Sequence, residues 1–582
     1  SQLAEWDFSN FKTFILLSSS FSASELKGEL PRFVEKHIGT EEADSYKFIL
    51  QPLTDIHLYS SHIKWDFDSL GSITTVYIFL IIAILILSIA CFNYMNLTTA
   101  RSTLRAKEVG IRKVAGAYRV NLIRQFIGES ITFTIIAFSI AFFIVELVLP
   151  GFNNLVGKHL SANLIKNKQL MGILVSVIVL VGLVSGSYPA FFLSAFQPVH
   201  VLKGNLGTQV KGSVLRKYFV MVQFIISIIL IIGTMIVYHQ LYYLNHKQLG
   251  FNKDHLVVIH QNSAAYQAFK ARLLQNPYIV DIASASSVPP NEFHFSQVES
   301  ENEVQKKTIQ MKCFFVDDNY FDVLGMELVQ GRFFSKDLET DKSDALIINE
   351  TAAKDMGWLS PLNKKLHVGW RNQTGRIVGV VKDFHFKSLK HKIEPTVFSM
   401  DNSNRYCMVA KIKPHNFKET ISYIEETWQQ FNPDRPFSYH FVDEAFDYLY
   451  RSEQRMARIV GYFSILAIFI ACLGLFGLAS FTIERRVKEI GIRKVFGASV
   501  LEIVIQFSKE FMKWVLFANI IAWPVAWYFM NEWLQNFAYR IQVSIWIFLT
   551  SAALAFMIAL LTVSYQSIKA AVANSVESLR YE

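Results

Sequence analysis

Few residues in this 582-residue chain have types and spacings suited to bond-making chemistry. Asp383, His385 and His391 offer a carboxylate and two imidazoles, donors that a divalent metal accepts. On a strand only Asp383 and His385 would share a face, and no third ligand is evident, so packing or surface roles are expected. A nucleotide phosphate would need G-x-x-x-x-G-K-[ST] on a strand-to-helix turn. That run is absent, and the glycines of GNLGTQVKGS from Gly204 have the wrong spacing. No Ser/His/Asp or Cys/His arrangement has a local context that would activate a nucleophile. The four cysteines form no C-x-x-C pair. Cys91 and Cys472 sit in apolar runs as small core residues, while Cys313 and Cys407 leave a disulfide open in an oxidising compartment. The chain is therefore expected to be no enzyme and to hold no cofactor of its own.

A different pattern recurs. KEVGIRKVAGA from Lys107 returns as KEIGIRKVFGA from Lys488, and the same offset pairs Ala90 and Cys91 with Ala471 and Cys472. Gln125, Phe126 and Glu129 fall on Gln506, Phe507 and Glu510, and after a small shift Ser187 and Tyr188 fall on Ser564 and Tyr565. Within each run Glu108 to Arg112, and Glu489 to Arg493, are i,i+4 pairs in the favourable order. Ile111 with Val114, and Ile492 with Val495, give each run a short apolar face, as in an amphipathic helix laid against a membrane. Gly116 and Gly497 suit a helix C-terminal break, and Ser499 with Glu502 forms a capping box for the next helix. Basic loops ordinarily set membrane topology. Here the order of residues recurs as well as the charge, which points to docking of a partner.

These runs must be positioned by membrane helices. The chain is 52% hydrophobic and 18% charged, too apolar for a soluble multidomain protein. Its net charge of +9 lies beside apolar stretches, which favours lipid and topology over nucleic acid. Seven stretches reach the roughly 20 apolar residues that a helix needs to span a bilayer: 73–97, 131–149, 170–193, 218–241, 459–483, 511–530 and 545–563. The sixth contains Lys513 and Pro524, which membrane helices tolerate. If all seven span, two basic loops share one side. Arg101, Arg105, Arg119 and Arg124 flank the first run; Arg485, Arg486 and Lys509 flank the second; Lys203, Lys211, Arg216 and Lys217 join them. The positive-inside rule then makes that side and the C-terminus cytoplasmic, with the long segment between the fourth and fifth spans outside. Glu146, within the second span, is a functional candidate that the outer end of the span would expose to water.

The outer segment alternates strand-like runs, HLVVIH from His255 and GRIVGVV from Gly375, with helical ones such as AAYQAFKARLLQ from Ala264. It reads as a mixed α/β domain. FKTFILL and the amphipathic stretch before Tyr46 resemble YCMVAKI and the helix before Tyr439, so residues 1–70 are expected to be the end of a first outer domain. The remaining boundaries are 71–204 for a first membrane half, 205–242 for a linker and fourth span, 243–456 for a complete outer domain and 457–582 for a second membrane half. The repeat leaves the fourth span without a mate, and an N-terminally truncated form of an eight-span protein with two outer domains is expected.

KEIGIRKVFGAS after a span, with VxxIxxQF leading into the next, resembles the cytoplasmic loop of MacB/FtsX-like permeases of ABC transporters. YFDVLGMELVQGRFF from Tyr320 and GRIVGVVKDFHFKSL from Gly375 resemble segments of their extracytoplasmic domain. The resemblance implies an α-helical polytopic protein of the bacterial inner membrane with an extracytoplasmic α/β domain. It also implies a separate cytoplasmic ATPase, two copies of which bring ATP and Mg, docked on Lys107, Glu108, Ile111, Arg112, Lys113, Lys488, Glu489, Ile492, Arg493 and Lys494. The work expected is export or efflux of a drug, peptide or lipoprotein, with a periplasmic adaptor or lipoprotein as a further partner. The alternative is mechanotransmission to a cell-wall hydrolase or a peptide-sensing complex, without transport. An outer-domain enzyme anchored by spans is the third reading. Many members of the family carry one such half, whereas this chain fuses two, which suggests an internal pseudo-dimer.

Overall fold

The computed structural model describes residues 13–19, 21–37, 48–60, 71–161, 167–195, 211–260, 266–291, 295–300, 307–369, 373–400 and 406–572. The GNLGTQVKGS stretch falls almost wholly outside them, as do residues 1–12 and 573–582. The chain divides into two units, Ser1–Leu85 and Ile86–Glu582.

In the first unit, helix α1 (Ala23–His37) opens on a reciprocal cap. The Glu25 N–H donates to Ser22 Oγ (3.2 Å) and the Ser22 N–H to Glu25 Oε2 (2.7 Å). Of the strand-like FKTFILL, residues 11 and 12 lie outside the described residues, and residues 13–17 carry no assigned strand. A short helix α2 (Ile56–Tyr59) precedes α3 (Ile73–Ala100), which leads out of this unit.

The second unit continues with α4 (Ser102–Val114), α5 (Arg119–Val156), α6 (Lys168–Ser194) and α7 (Lys211–His246). Helices α5 and α6 approach through small residues, because a Cβ on Gly182 would press on Ile131 and one on Gly186 on Ser130. Glu146 is exposed, and α5 runs on past it to Val156.

The segment after α7 is a mixed α/β domain. Its elements are β1 (Leu256–His260), α8 (Tyr266–Leu273), β2 (Ile279–Ala285), β3 (Phe295–Ser300), β4 (Thr308–Val316), α9 (Tyr320–Leu324), β5 (Leu328–Gly331) and β6 (Ala345–Asn349). Then come α10 (Glu350–Met356), β7 (Lys365–Val368), β8 (Gln373–Val381), β9 (Thr396–Met400), β10 (Cys407–Ile412), α11 (Phe417–Phe431), β11 (Tyr439–Phe441) and α12 (Val442–Leu449). Strands β4, β3, β7, β8, β6 and β9 pair in that order and close on themselves through β9 and β4, so this part of the sheet leaves no free edge. The arm β11-β1-β10-β2 joins the ring at Ala285 opposite Val316. Met311, Cys313, Leu366 and Ile377 fill one core with Trp358. Val257, Ile259 and Met408 form a second with Phe269 and Trp428 of the covering helices.

The third and largest core of this domain extends beyond it. Val258, Phe314, Phe321 and Phe398 pack in one cluster with Val237, Leu241 and Leu244 of α7 and with Phe537. Phe537 lies just past the end of a long helix that closes at Leu534. The run ends with α13 (Arg451–Glu484), α14 (Val487–Val495), α15 (Val500–Leu534) and α16 (Ile545–Val572).

Among the described residues six helices are long and apolar enough to cross a membrane: α3, α5, α6, α7, α13 and α16. The seventh expected stretch, 511–530, is not among them, because Asn519, Pro524 and Tyr528 dilute its apolar run. It nevertheless lies in the continuous helix α15, whose fully buried Ala518, Ala522 and Ala526 pack in one cluster with α7, α13 and α16.

All four cysteines are free. Cys313 and Cys407 belong to different cores, so the open disulfide is ruled out by their placement. Burial pushes both thiols up to about 12.

Candidate coupling site

The two repeated runs fold into α4 and α14, and their local geometry is the same. Each ends on a glycine with left-handed backbone, Gly116 at φ 92° and Gly497 at φ 90°. In each the following alanine N–H returns to the arginine carbonyl, Ala117 to Arg112 and Ala498 to Arg493, both at 2.9 Å. The turn redirects the chain into the next long helix. Ser499 and Glu502 close the capping box that opens α15.

Side chains then fasten each short helix to the long one that follows. Arg112 pairs with Glu108 at 2.8 Å and donates from Nη1 to Gln125 Oε1 at 2.5 Å. Gln125 donates to Glu129 (3.1 Å), which also accepts from Arg105 (2.6 Å). In the second half Arg493 pairs with Glu489 at 2.7 Å and donates to Gln506, while Glu510 faces Arg486 at 3.5 Å and Lys217 at 3.2 Å. The Glu129 carboxylate holds the Arg105 guanidinium above its ordinary pKa. Lys113 donates to the carbonyl of Ser194 at 2.6 Å, and burial, with Arg119 nearby, holds its ammonium below the usual lysine range.

The face that each helix turns toward the bundle is not the Ile111/Val114 or Ile492/Val495 face, which was expected to lie against the membrane. Val109 and Ile490, not Ile111 and Ile492, are the buried apolar residues. Val109 packs with Leu122, Phe126, Ala190 and Leu193; Ile490 packs with Ile483, Ile503, Phe507 and Ala571. Ile111, Val114, Ile492 and Val495 are exposed, and so is Phe496. Gly110 and Gly491, both buried, lie beside Val109 and Ile490 on that side. Each helix thus presents outward two aliphatic side chains beside Glu and Arg side chains that keep 43% to 50% of their surface. Lys494 shares this helix, and the side chains of Lys107 and Lys488 lie outside the described set. Arg105 with Glu129, and Arg486 with Glu510, were not singled out from the sequence. The signal was available, since all four obey the offset that relates the two runs.

The halves meet where that offset maps a residue onto its own neighbour. Asn93 of α3 corresponds to Gly474 of α13, and a Cβ on Gly474 would overlap the Asn93 amide. Asn93 Nδ2 donates to the Ile470 carbonyl at 2.5 Å, and Gln223 of α7 donates to Asn93 Oδ1 and to the Ile89 carbonyl (3.2 Å). A residue touching its own repeat mate is what a local twofold relation between the halves would produce.

At the opposite end the outer domain is tied to the membrane helices. Gln240 of α7, fully buried, donates to the Tyr539 carbonyl and accepts from the Ile541 N–H, both at 2.9 Å. Leu389 accepts from the Tyr539 N–H and its own N–H donates to the Tyr450 hydroxyl at 2.7 Å. His385 packs edge-on against the Tyr539 ring, and Asp383 accepts from Thr351 and Asn349, so these two serve packing and local hydrogen bonding; β8 has already ended at Val381, and neither lies on a strand.

Comparison with known proteins matches this division. The description "FtsX-like permease C-terminal" fits residues 80–198 and 461–574, and "MacB-like periplasmic core domain" fits residues 220–403. The macrolide export ATP-binding/permease protein MacB of Bartonella henselae is 25% identical over 210 residues, 34% of this chain and 31% of that protein. The protein of the same description from Bdellovibrio bacteriovorus is 31% identical over 124 residues, 21% of this chain and 18% of that protein. The chain thus spans about a third or less of the length of these relatives. Among solved structures, the periplasmic region of MacB from Actinobacillus actinomycetemcomitans aligns over 35% of this chain and 97% of its own, at 17% identity and a TM-score of 0.27. The extracellular domain of the noncanonic ABC-type transporter YknZ from Gram-positive bacteria aligns over 32% and 97%, at 14% identity and a TM-score of 0.23. With one MacB-like periplasmic core domain set between two FtsX-like permease domains, the chain belongs to the MacB/FtsX-like permeases of ABC transporters.

Proposed function

We propose that this chain is the permease subunit of an ABC-type system in the bacterial inner membrane, in which a separate cytoplasmic ATPase drives motion of the outer domain. The observation that carries the reading is the pair of like-built short helices at the basic end. Each is fastened to its own half and leaves an apolar and charged face outward, so two copies of one partner could dock in the same way. ATP and Mg would be bound by that partner, since the sequence holds no phosphate-binding loop of the G-x-x-x-x-G-K-[ST] type. The shared core of Val237, Leu241, Leu244 and Phe537 supports transmission, because displacement of α7 or α15 moves side chains inside the outer domain. Export of a drug, peptide or lipoprotein, assisted by a periplasmic adaptor or lipoprotein, is the work we favour. The same shared core would serve a regulator of a cell-wall hydrolase or a peptide sensor equally well, which keeps that second reading in play.

The test is mass spectrometry of what co-purifies with the full-length protein from its native membrane, followed by ATPase assay of the complex. An ABC ATPase together with an adaptor or lipoprotein supports export. An ATPase with a hydrolase or kinase supports regulation. Recovery of the protein with no ATPase under conditions that preserve other membrane complexes would refute both.

A further inference from the structure

A cleft of about 250 Å³ opens at the basic end between α7, α13 and α15. Four cations line it, Arg216, Lys217, Arg485 and Arg486, against one carboxylate, Glu510. Glu510 is already engaged by Lys217 (3.2 Å) and Arg486 (3.5 Å). Arg216 is half-buried and has no carboxylate within ion-pair distance among the described residues. A half-buried guanidinium beside other cations is costly unless an anion joins it. The deeper wall is apolar, with Val220, Leu478 and Phe511, and Trp514 stands at the rim with Lys217 5.9 Å from its ring centre. A tryptophan beside lysine and arginine at the end of membrane helices is the usual signature of the headgroup level.

The repeat shows which of these residues are extra. Arg486 and Glu510 have mates in Arg105 and Glu129, which pair at 2.6 Å. Arg485 corresponds to Leu104, Phe481 to Ala100 and Trp514 to Phe133, so the added cation and the larger rings belong to one half alone. Fastening of the short helix does not need the added cation, since the first half manages without it.

We propose that this cleft binds the phosphate head group of an anionic phospholipid from the adjoining leaflet, with Arg216 and Arg485 facing the phosphate and the acyl chains passing along Val220, Leu478 and Phe511. Basic pockets between membrane helices at a leaflet surface suit this ligand. Arg485 and Arg486 also form the joint between α13 and α14, so a bound lipid sits where the short helix meets its span.

Native mass spectrometry of the full chain in detergent tests the assignment, with phosphatidylglycerol, phosphatidylcholine and millimolar inorganic phosphate as separate additions. Phosphatidylglycerol should remain bound where phosphatidylcholine does not, and phosphate should not displace it. Each basic residue at an anionic headgroup contributes about fivefold in affinity, so Arg216→Gln with Arg485→Gln should weaken retention about thirtyfold. Arg124→Gln, an exposed arginine of the first half, should change it little. Equal retention of both lipids by the unaltered protein, displacement by phosphate alone, or equal losses from Arg124→Gln and from the double variant would each overturn the proposal. The first two readings require no variant to fold.

Discussion

Replacing Arg112 and Arg493 together by Glu separates what these residues do within the chain from what they do for a partner. Within the chain each arginine makes one i,i+4 ion pair, 2.8 Å to Glu108 or 2.7 Å to Glu489, and one hydrogen bond to a glutamine of the next helix. Both guanidinium groups keep over 40% of their surface, so each pair contributes only about 0.3–0.5 kcal/mol. The hydrogen bond adds about 1 kcal/mol. Reversal also places like charges at i,i+4, a further few tenths of a kcal/mol, roughly 0.2–0.5. The internal loss is thus about 2 kcal/mol per half, and Val109 and Ile490 still hold the helices in place. A charge desolvated at a partner interface is different: removing it typically costs about 2–5 kcal/mol, more than tenfold in assembly. The double reversal should therefore insert normally and melt within a few degrees of the unaltered protein, yet lose stimulated ATP hydrolysis by the co-purified ATPase. Insertion is read by accessibility of the outer domain, coupling by ATPase rate in proteoliposomes. Unchanged stimulation and unchanged co-purification would return the two helices to topology signals alone.

Other outcomes follow from the same geometry. Asn93→Cys with Gly474→Cys should cross-link within one chain under mild oxidation, because the two positions touch; absence of the bond in a folded protein would refute the twofold relation. Burial, then Lys247, holds His385 at about 4, below its ordinary 6.5. The folded state therefore takes up its proton later than the unfolded one, so stability is complete above about pH 6.5 and declines as pH falls toward 4, by about 3 kcal/mol. His385→Gln should flatten that part of the pH–stability curve, and an unaltered slope would show that His385 is not responsible. Gln240→Leu leaves the Tyr539 carbonyl and the Ile541 N–H without their buried partner, a loss of roughly 2–5 kcal/mol. Hydrogen exchange at residues 538–541 should rise while ATPase stimulation persists; unchanged protection would mean that this tie is not what holds the loop.

The repeat made much of the architecture legible before any coordinate. Residue order identified two halves, two short basic helices, the capping box at Ser499 and the glycine stops, because each of these is local chemistry. The domain class of the outer segment was legible too, since HLVVIH and GRIVGVV alternate with helical runs. The rotation of the short helices was not. Val109 and Ile490, which face the bundle, were not singled out in the sequence, because their partners Leu193 and Ala571 lie about 80 residues further along the chain. The packing of Phe537 against the outer domain and the tie of Gln240 to Tyr539 and Ile541 were equally hidden, because partners so far apart in the chain leave no periodic trace. Helix α15 escaped the simple criterion for a reason of composition. Asn519, Pro524 and Tyr528 lower its mean hydropathy, although Ala518, Ala522 and Ala526 bury it in the bundle.

Helix α7 has a consequence that runs opposite to the direction of work. Its 36 residues make a rod, of which about 40 Å separates Lys217, beside Glu510 at the basic end, from Leu244 inside the outer core. A continuous helix has no joint to absorb displacement. If the proposed coupling holds, whatever free energy nucleotide binding at one end imparts to the outer domain, a ligand gripped at that domain must return by the same amount to the nucleotide equilibrium. On that reading the outer domain is a sensor as much as an effector: loading it should shift the partner's nucleotide affinity at the far side of the membrane before anything has moved.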